Sequence, residues 1–333
     1  MAITRRNSLA AGAAGIGLAI AGATPRSAMA APPRTRRLRI AHLTDIHLQP
    51  ELQAARGFTA CLAHVQSRPA GDAQEVLGRD AADMIITGGD TIMDAFEADM
   101  ARTKLQWELW RKVKADHCGM EVHSVVGNHD VWGWAKSKAG TTGTEPLYGK
   151  RWVCDEFGRD LPYTSFDRAG WHIVLLDSIF PHPELGGASY IGRIDDAQWD
   201  WLERDLAAVG SETPIVIFSH IPILSATPIV WAGPATPQTA SIQVPGELVH
   251  VDGDRFQKLF AKRRNVKACA SGHMHLIEQL DYDGVRYLCN GAVSAGWWKG
   301  KNRNTDFGYG VIDLFDDGTV ARHYVPYGWT AAT

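Results

Sequence analysis

Apolar residues fall along this chain in two rhythms. Short β-rich runs break off at polar residues, and longer segments between them carry apolar positions at helical spacing. "LRIAHLTDIHL" (Leu38 to Leu48) predicts a strand running into Asp45 and His47. "DMIITGGD" (Asp83 to Asp90) predicts a second, ending in two glycines and Asp90. "EVHSVVGNHD" predicts a third that includes Val125 and Val126 and stops at Gly127, Asn128, His129 and Asp130. "EADMARTKLQWELWRKVK" lies between them with helical spacing. Strand, helix, strand, helix, strand implies an α/β sheet with parallel crossovers.

The second half changes character. "YTSFDRAGWHIVLLDS" predicts two strands about a turn at Ala169-Gly170. In "DDAQWDWLERDLAAVG", Asp195 and Gln198 suit a capping box, Trp199, Leu202, Leu206 and Val209 form one apolar face, and Gly210 ends the helix. "PIVIFSH" predicts a buried strand ending at His220, and "VKACASGHMH" one ending at His273 and His275. "IEQLDYDGVRYLCNGAVS" and "GYGVIDLFDDGTVARHYV" predict hairpins turning at Asp283-Gly284 and Asp317-Gly318. Two long connections, about 132–162 and 224–250, lack a regular pattern, and such loops in a compact domain are usually functional or mobile.

The first thirty residues read as an address. "TRRNSLAAGAAGIGLAIAGA" is a charged start and a weakly apolar stretch, and Ala28 and Ala30 form a small-x-small cleavage site. Thr4-Arg5-Arg6 and Leu9 resemble a twin-arginine export signal, although Ser8 stands where a strongly apolar residue is usual. An ordinary secretory signal is the alternative. The expected boundaries are a signal peptide over 1–30, a linker over 31–37 and one domain over 38–328. The implied partner is the twin-arginine export machinery, with the mature chain periplasmic or extracellular after cleavage near Ala30. The apolar stretch is too short for a membrane span, so the mature chain is expected to have none.

Composition narrows the classes. With 333 residues, 45% of them hydrophobic, the chain can bury a large core. A net charge of −3 excludes a nucleic-acid surface built on bulk positive charge, and no stable nucleic-acid partner is expected. Cys61, Cys118, Cys154, Cys269 and Cys289 are odd in number and lack a C-x-x-C spacing, so neither a zinc knuckle nor a disulfide framework is signalled. In an oxidising compartment Cys269 and Cys289, near two strand ends, could pair; otherwise they are buried thiols. The twelve tryptophans pack cores and loops or wall a substrate site.

The strand ends form one set. Five predicted strands stop at Asp45-x-His47, Gly89-Asp90, Gly127-Asn128-His129-Asp130, His220 and Gly272-His273-x-His275. In open α/β sheets, functional residues gather beyond the carboxyl ends of strands. Carboxylate, imidazole and amide oxygen suit zinc, manganese or iron, and no thiolate joins the set. Asp45, His47, Asp90, Asn128, His220, His273 and His275 are too many for one tetrahedral ion and suit two ions sharing a carboxylate. The remaining histidines read as structural; His42 stands apart because it lies three residues before Asp45 on the same strand.

In this order, D-x-H, G-D, G-N-H-D, H and G-H-x-H resemble the calcineurin-like metallophosphoesterase superfamily over about Leu38 to Val325. The resemblance implies a four-layer α-β-β-α sandwich of two mixed sheets. It implies that Asp45, His47, Asp90 and His275 hold one metal. Asp90, Asn128, His220 and His273 would hold the other, with Asp90 bridging. It makes His129 the catalytic residue, facing the substrate to protonate the leaving oxygen or stabilise phosphoryl charge, and makes Asp130 a support behind the ligands. The implied reaction is phosphoester hydrolysis, in which a hydroxide between two metals attacks phosphorus in line.

Two features bear on substrate. Three residues after the bridging aspartate, purple acid phosphatases have a ligand tyrosine and other members an aspartate that pairs with the catalytic histidine. Here Met93 stands there and Asp94 is one position off, so nothing in the sequence orients His129. The tail "NGAVSAGWWKGKNRNTDFGYG" resembles exported bacterial members. Trp297, Trp298 and Lys299, with Lys301 and Arg303, are placed to stack on a base or sugar and hold a second phosphate; the alternative is a charged loop after a core tryptophan pair. The expected substrate is a small phosphodiester. A phosphomonoesterase, or a non-catalytic metal-binding relative, is the alternative.

Overall fold

The computed structural model describes residues 34–67, 80–183, 190–232 and 241–331. The expected signal peptide lies outside the described residues. Of the expected linker, Arg36 and Arg37 already belong to the first strand.

Three parallel strands open the fold: β1 (Arg36–Leu43), β2 (Met84–Thr87) and β3 (Val122–Ser124). Helix α1 (Ala54–Gln66) connects the first of these pairs, and α2 (Met100–His117) the second. β3 is shorter than its apolar run suggests. Val125 and Val126 are fully buried, and the Val125 N–H continues the ladder, donating to Thr87 O at 2.8 Å. β4 (Thr164–Arg168) and β5 (Trp171–Leu175) form the expected hairpin. A small ribbon, β6 (Ile179–Pro181) with β7 (Tyr190–Gly192), follows. Then come α3 (Asp196–Ala208), β8 (Ile215–Phe218), α4 (Gly253–Lys262) and β9 (Val266–Ser271). Both closing hairpins form, β10 (Ile277–Tyr282) with β11 (Val285–Asn290), and β12 (Gly308–Phe315) with β13 (Val320–Pro326).

The strands make two mixed sheets, ordered β13-β12-β1-β2-β3 and β10-β11-β9-β8-β5-β4. Alternation along each strand explains the layers. Leu38, Ile40, Met84 and Ile86 meet Ile173, Val216, Phe218 and Ala268 between the sheets. Leu43 and Ile85, on the opposite face, pack under Phe58, Leu62, Trp107 and Trp110 of α1 and α2. Ile215 and Ile217 pack under Trp199, Leu202, Phe256 and Phe260 of α3 and α4. This is the expected four-layer α-β-β-α sandwich.

Two buried glutamines sit where the helical pattern would take an apolar residue. Gln106 of α2 accepts from the Asp94 N–H at 3.0 Å and donates to the Asp94 carbonyl at 2.8 Å. Gln198 of α3 brackets Asp177 in the same way, at 2.9 and 2.9 Å. Each satisfies its buried amide by pinning one loop residue. Gln198 therefore does not close the expected capping box; Asp195 caps α3 alone, accepting from the Gln198 N–H at 2.7 Å.

Cys269 and Cys289 are free thiols. Cys269 faces Tyr287 across the β9–β11 ladder and Cys289 faces Ser271, so the two are offset by two residues. The long connections hold short helices, Lys136–Ala139 and Arg151–Glu156 in the first and Thr227–Ala232 in the second.

Candidate metal centre

The loops leaving β1, β2, β3, β8 and β9 meet at one end of the sandwich. Five residues there adopt left-handed backbone: Asp45 (φ 54°), His47 (46°), Asp90 (52°), His273 (69°) and His275 (53°). Such conformations cost about 1–3 kcal/mol each and persist only where surroundings hold them. Neighbouring loops do so here. The N–H groups of Asp45, His47 and Leu48 donate to the carbonyls of Gly89, Asp90 and Thr91.

The glycines have a physical reason. A Cβ on Gly272 would lie 2.3 Å from Asp45 Oδ2, and one on Gly127 would lie 2.2 Å from Asp90 Oδ1. Gly89, at φ 91°, would press on the His220 ring at 2.5 Å. They let the ligand loops approach one another.

All seven expected ligands come together. The ligand atoms of Asp45, His47 and His275 lie within 4.8 Å of one another, as do those of Asp90, His220 and His273. Nε2 of His47 is 3.0 Å from Nε2 of His275, which is 3.3 Å from Asp45 Oδ1. On the other side Nε2 of His220 is 3.0 Å from Asn128 Oδ1 and 3.2 Å from Nδ1 of His273. Asp90 Oδ2 stands between the groups, 3.6 Å from His47 and 3.3 Å from His220. Imidazole nitrogens and carboxylate oxygens this close are the donor types that suit a cation.

The outward-facing nitrogens are anchored. Nδ1 of His220 donates to Gly88 O at 2.8 Å, Nδ1 of His275 to Ala295 O at 2.6 Å, and Nε2 of His273 to Glu247 O at 2.9 Å. Each bond fixes which ring nitrogen faces inward. Sequence could not reveal Glu247 or Ala295, because they act through backbone carbonyls.

The electrostatics divide the histidines, with His220 and His275 raised and His47 and His273 lowered. Burial opposes the charge on Asp45, yet the facing His275 and His220 hold its pKa down at about 2. Asp90 is held well below the usual range: burial raises it, and His220 and His129 outweigh that. Burial strips the proton from His47 and, with the His220 charge, lowers His273 to about 4. Burial disfavours a proton on His220, but the charge of Asp90 prevails and lifts it to about 9. A cation beside Asp90 would compete for that place.

His129 differs from the ligands. It is partly exposed, its ring lies edge-on to His47 at 4.9 Å, and its backbone N–H donates to Asp90 Oδ1 at 2.9 Å. Its ring also falls within 4.8 Å of His47 and Asp90 ligand atoms. Asp130 lies behind, fully buried. It accepts from the N–H groups of Thr91 and Gly127 at 2.8 and 2.9 Å, tying the Asp90 loop to its own. Burial, then the Asp90 charge, pushes its pKa up to about 7.

Three expectations separate. Trp297 stacks on His275, with ring centroids 4.3 Å apart, and stays half-buried at the edge of the centre. Trp298 is 1% exposed and its indole N–H is engaged by backbone, so it cannot face a substrate. Lys299 is exposed, and Lys301 is paired with Asp306 at 2.8 Å. His42 is not a ligand either. It sits between the sheets against Phe218, accepts from Asn290 Nδ2 at 2.9 Å, and burial lowers its pKa to about 3.

The sequence profile of calcineurin-like phosphoesterases matches residues 38–276. The chain belongs to the calcineurin-like phosphoesterase family. It is 27% identical over 158 residues to the 3',5'-cyclic adenosine monophosphate phosphodiesterase CpdA of Escherichia coli, covering 45% of this chain and 48% of that protein. It is 22% identical over 258 residues to a probable cyclic nucleotide phosphodiesterase of Psychrobacter, covering 71% of this chain and 56% of that protein. The chain thus spans about half the length of the curated relatives it matches. Its fold resembles a dimetal phosphatase of Danio rerio, with TM-score 0.57 and 13% identity over 88% of this chain and 100% of that one. It also resembles GAP50, the anchor in the inner membrane complex of Plasmodium, with TM-score 0.50 and 15% identity over 89% and 86%. At these identities the two structures show the fold alone. No described helix of the chain is long and apolar enough to cross a membrane.

Proposed function

We propose that the chain hydrolyses small phosphodiesters at a binuclear metal centre. The observation that carries this is the position of Asp90, one carboxylate between two clusters of ligand atoms. Asp45, His47, Asp90 and His275 would hold one ion, and Asp90, Asn128, His220 and His273 the other. Bound there, two manganese, iron or zinc ions would activate water and neutralise phosphoryl charge. His129 would hold a proton at the open side and pass it to the departing alcohol oxygen. Asp130 would keep the His129 loop locked to the Asp90 loop. Trp297 would offer its ring beside His275 to a base or sugar.

Support for diesters over monoesters comes from the Trp297 ring beside His275 and from the two curated relatives, named as a cyclic nucleotide phosphodiesterase and a probable one. We propose also that residues 1–30 direct export by the twin-arginine route. The test of activity is a panel: bis(nitrophenyl) phosphate, nitrophenyl phosphate, cyclic nucleotides and glycerophosphodiesters with metal-loaded protein. Faster turnover of diesters is expected. Preference for monoesters would make it a phosphatase, and no turnover with both ions bound would make it a non-catalytic relative.

A further inference from the structure

We propose that Trp298 is a positioning residue for one half of the metal centre, clamping the Asp45–His47 loop, and that Gly57 of α1 is the seat that makes room for it. This rests on reading Asp45, His47 and His275 as metal ligands.

The loop between β1 and α1 carries two ligands in left-handed backbone, at Asp45 and His47. Every carbonyl from residue 44 to residue 47 is held by one segment, residues 293–298. Thr44 O accepts from the Val293 N–H at 2.9 Å. Asp45 O accepts from the Ser294 N–H at 3.2 Å and from Ser294 Oγ at 2.8 Å. Ile46 O and His47 O both accept from the single indole N–H of Trp298, each at 3.0 Å. The segment also supplies Ala295 O, which fixes the tautomer of His275. It lies beyond residue 276, where the family match ends.

The indole is held in turn. It stacks on Phe307, with centroids 5.9 Å apart at 28°. Its six-membered ring occupies the space over Gly57, where a Cβ would come 2.2 Å from Cζ3. Gly57 has ordinary helical backbone and no turn to make, so conformational freedom does not account for a glycine there. Room for the indole does. A contact in α1 thereby reaches the metal loop through one side chain.

Apo protein is titrated with Mn²⁺ by calorimetry, with bound metal measured after dialysis. Wild type should take two ions. Trp298→Phe keeps an aromatic ring and loses the N–H; it should weaken one ion about tenfold, as losses behind metal ligands do, and leave the other unchanged. Trp110→Phe, a buried indole of the same helical layer that stacks on Phe58, should change neither ion. Gly57→Ala tests the seat without touching the loop, and serves if Trp298→Phe does not fold. A helix glycine without such a role would gain stability as alanine and keep both affinities. Here the same ion should weaken. Wild-type affinities for both ions in Trp298→Phe and Gly57→Ala would overturn the clamp alone. Fewer than two ions in wild type would overturn the ligand assignment beneath it, and the clamp with it.

Discussion

Asp94 Oδ1 stands 3.8 Å from Nδ1 of His129. The carboxylate is one residue later than the family spacing, and it still arrives. Met93 turns aside, its sulfur accepting from Gln49 Nε2 at 3.4 Å. Gln106 pins the Asp94 backbone from both sides, and the Glu97 N–H holds Asp94 Oδ1 at 3.0 Å. The gap exceeds a hydrogen bond, so Asp94 faces His129 without bonding it, and a small shift would close the distance. Asp94→Asn should lower kcat about tenfold on poor leaving groups, within the reach of one lost charge partner. Unchanged kcat on an alkyl phosphodiester would remove Asp94 from the account.

His129→Ala separates proton transfer from metal binding. It should keep both ions and lower kcat roughly 10²–10⁴-fold on alkyl alcohol leaving groups, the range for a positioned acid. The loss should shrink for nitrophenol, which departs without a proton. Loss of an ion would instead place His129 among the ligands, as its nearness to His47 and Asp90 permits.

The convergence of the seven residues was legible because each block joins a β-run to residues with metal chemistry, and parallel topology brings such ends together. The four layers came from the family resemblance; the order of strands and helices alone implied only an α/β sheet with parallel crossovers. Contacts between distant residues were not. Asp94 reaches His129 because a helix glutamine places its backbone, and nothing local announces that. Trp297 and Trp298 are adjacent, yet consecutive left-handed residues (φ 52° and 68°) send the first to the edge of the centre and bury the second. The Cys269–Cys289 offset follows from strand register, which spacing does not encode. β3 ends early although Val125 and Val126 are buried, because burial does not require a continued ladder.

One stability prediction concerns the paired strands of the first sheet. Arg39 of β1 and Asp313 of β12 face each other in register, almost fully buried, joined at 2.7 and 2.8 Å. Asp313→Ala leaves a buried guanidinium without its main counter-charge and should cost about 3 kcal/mol in urea unfolding. A loss under about 1 kcal/mol would show that the remaining Arg39 contacts suffice.

A pH prediction follows from His172 on β5. It lies between Asp167 at 2.7 Å and Asp205 at 2.9 Å. Burial opposes its protonation, but hydrogen bonds to Asp205 and Asp167 prevail and raise its pKa. A raised pKa stabilises fully below the unfolded value of about 6.5 and is lost as pH rises through the folded one. His172→Gln should therefore destabilise by about 1 kcal/mol in mild acid and by less in mild alkali. A gap that widens with rising pH would contradict this.

Export is tested by changing Arg5 and Arg6 together to Lys. Precursor should remain inside the cell, since the twin-arginine route reads the pair itself. Mature protein outside at the normal rate would favour an ordinary secretory signal.

The most direct test is metal stoichiometry of the reconstituted protein alongside Asp90→Ala. Elemental analysis should find close to two transition ions per chain in the wild type, removed by chelation together with activity. Asp90→Ala should lose occupancy itself, whatever the leaving group. A wild type that saturates at one ion, or an Asp90→Ala variant that keeps two, would contradict a centre bridged by this carboxylate.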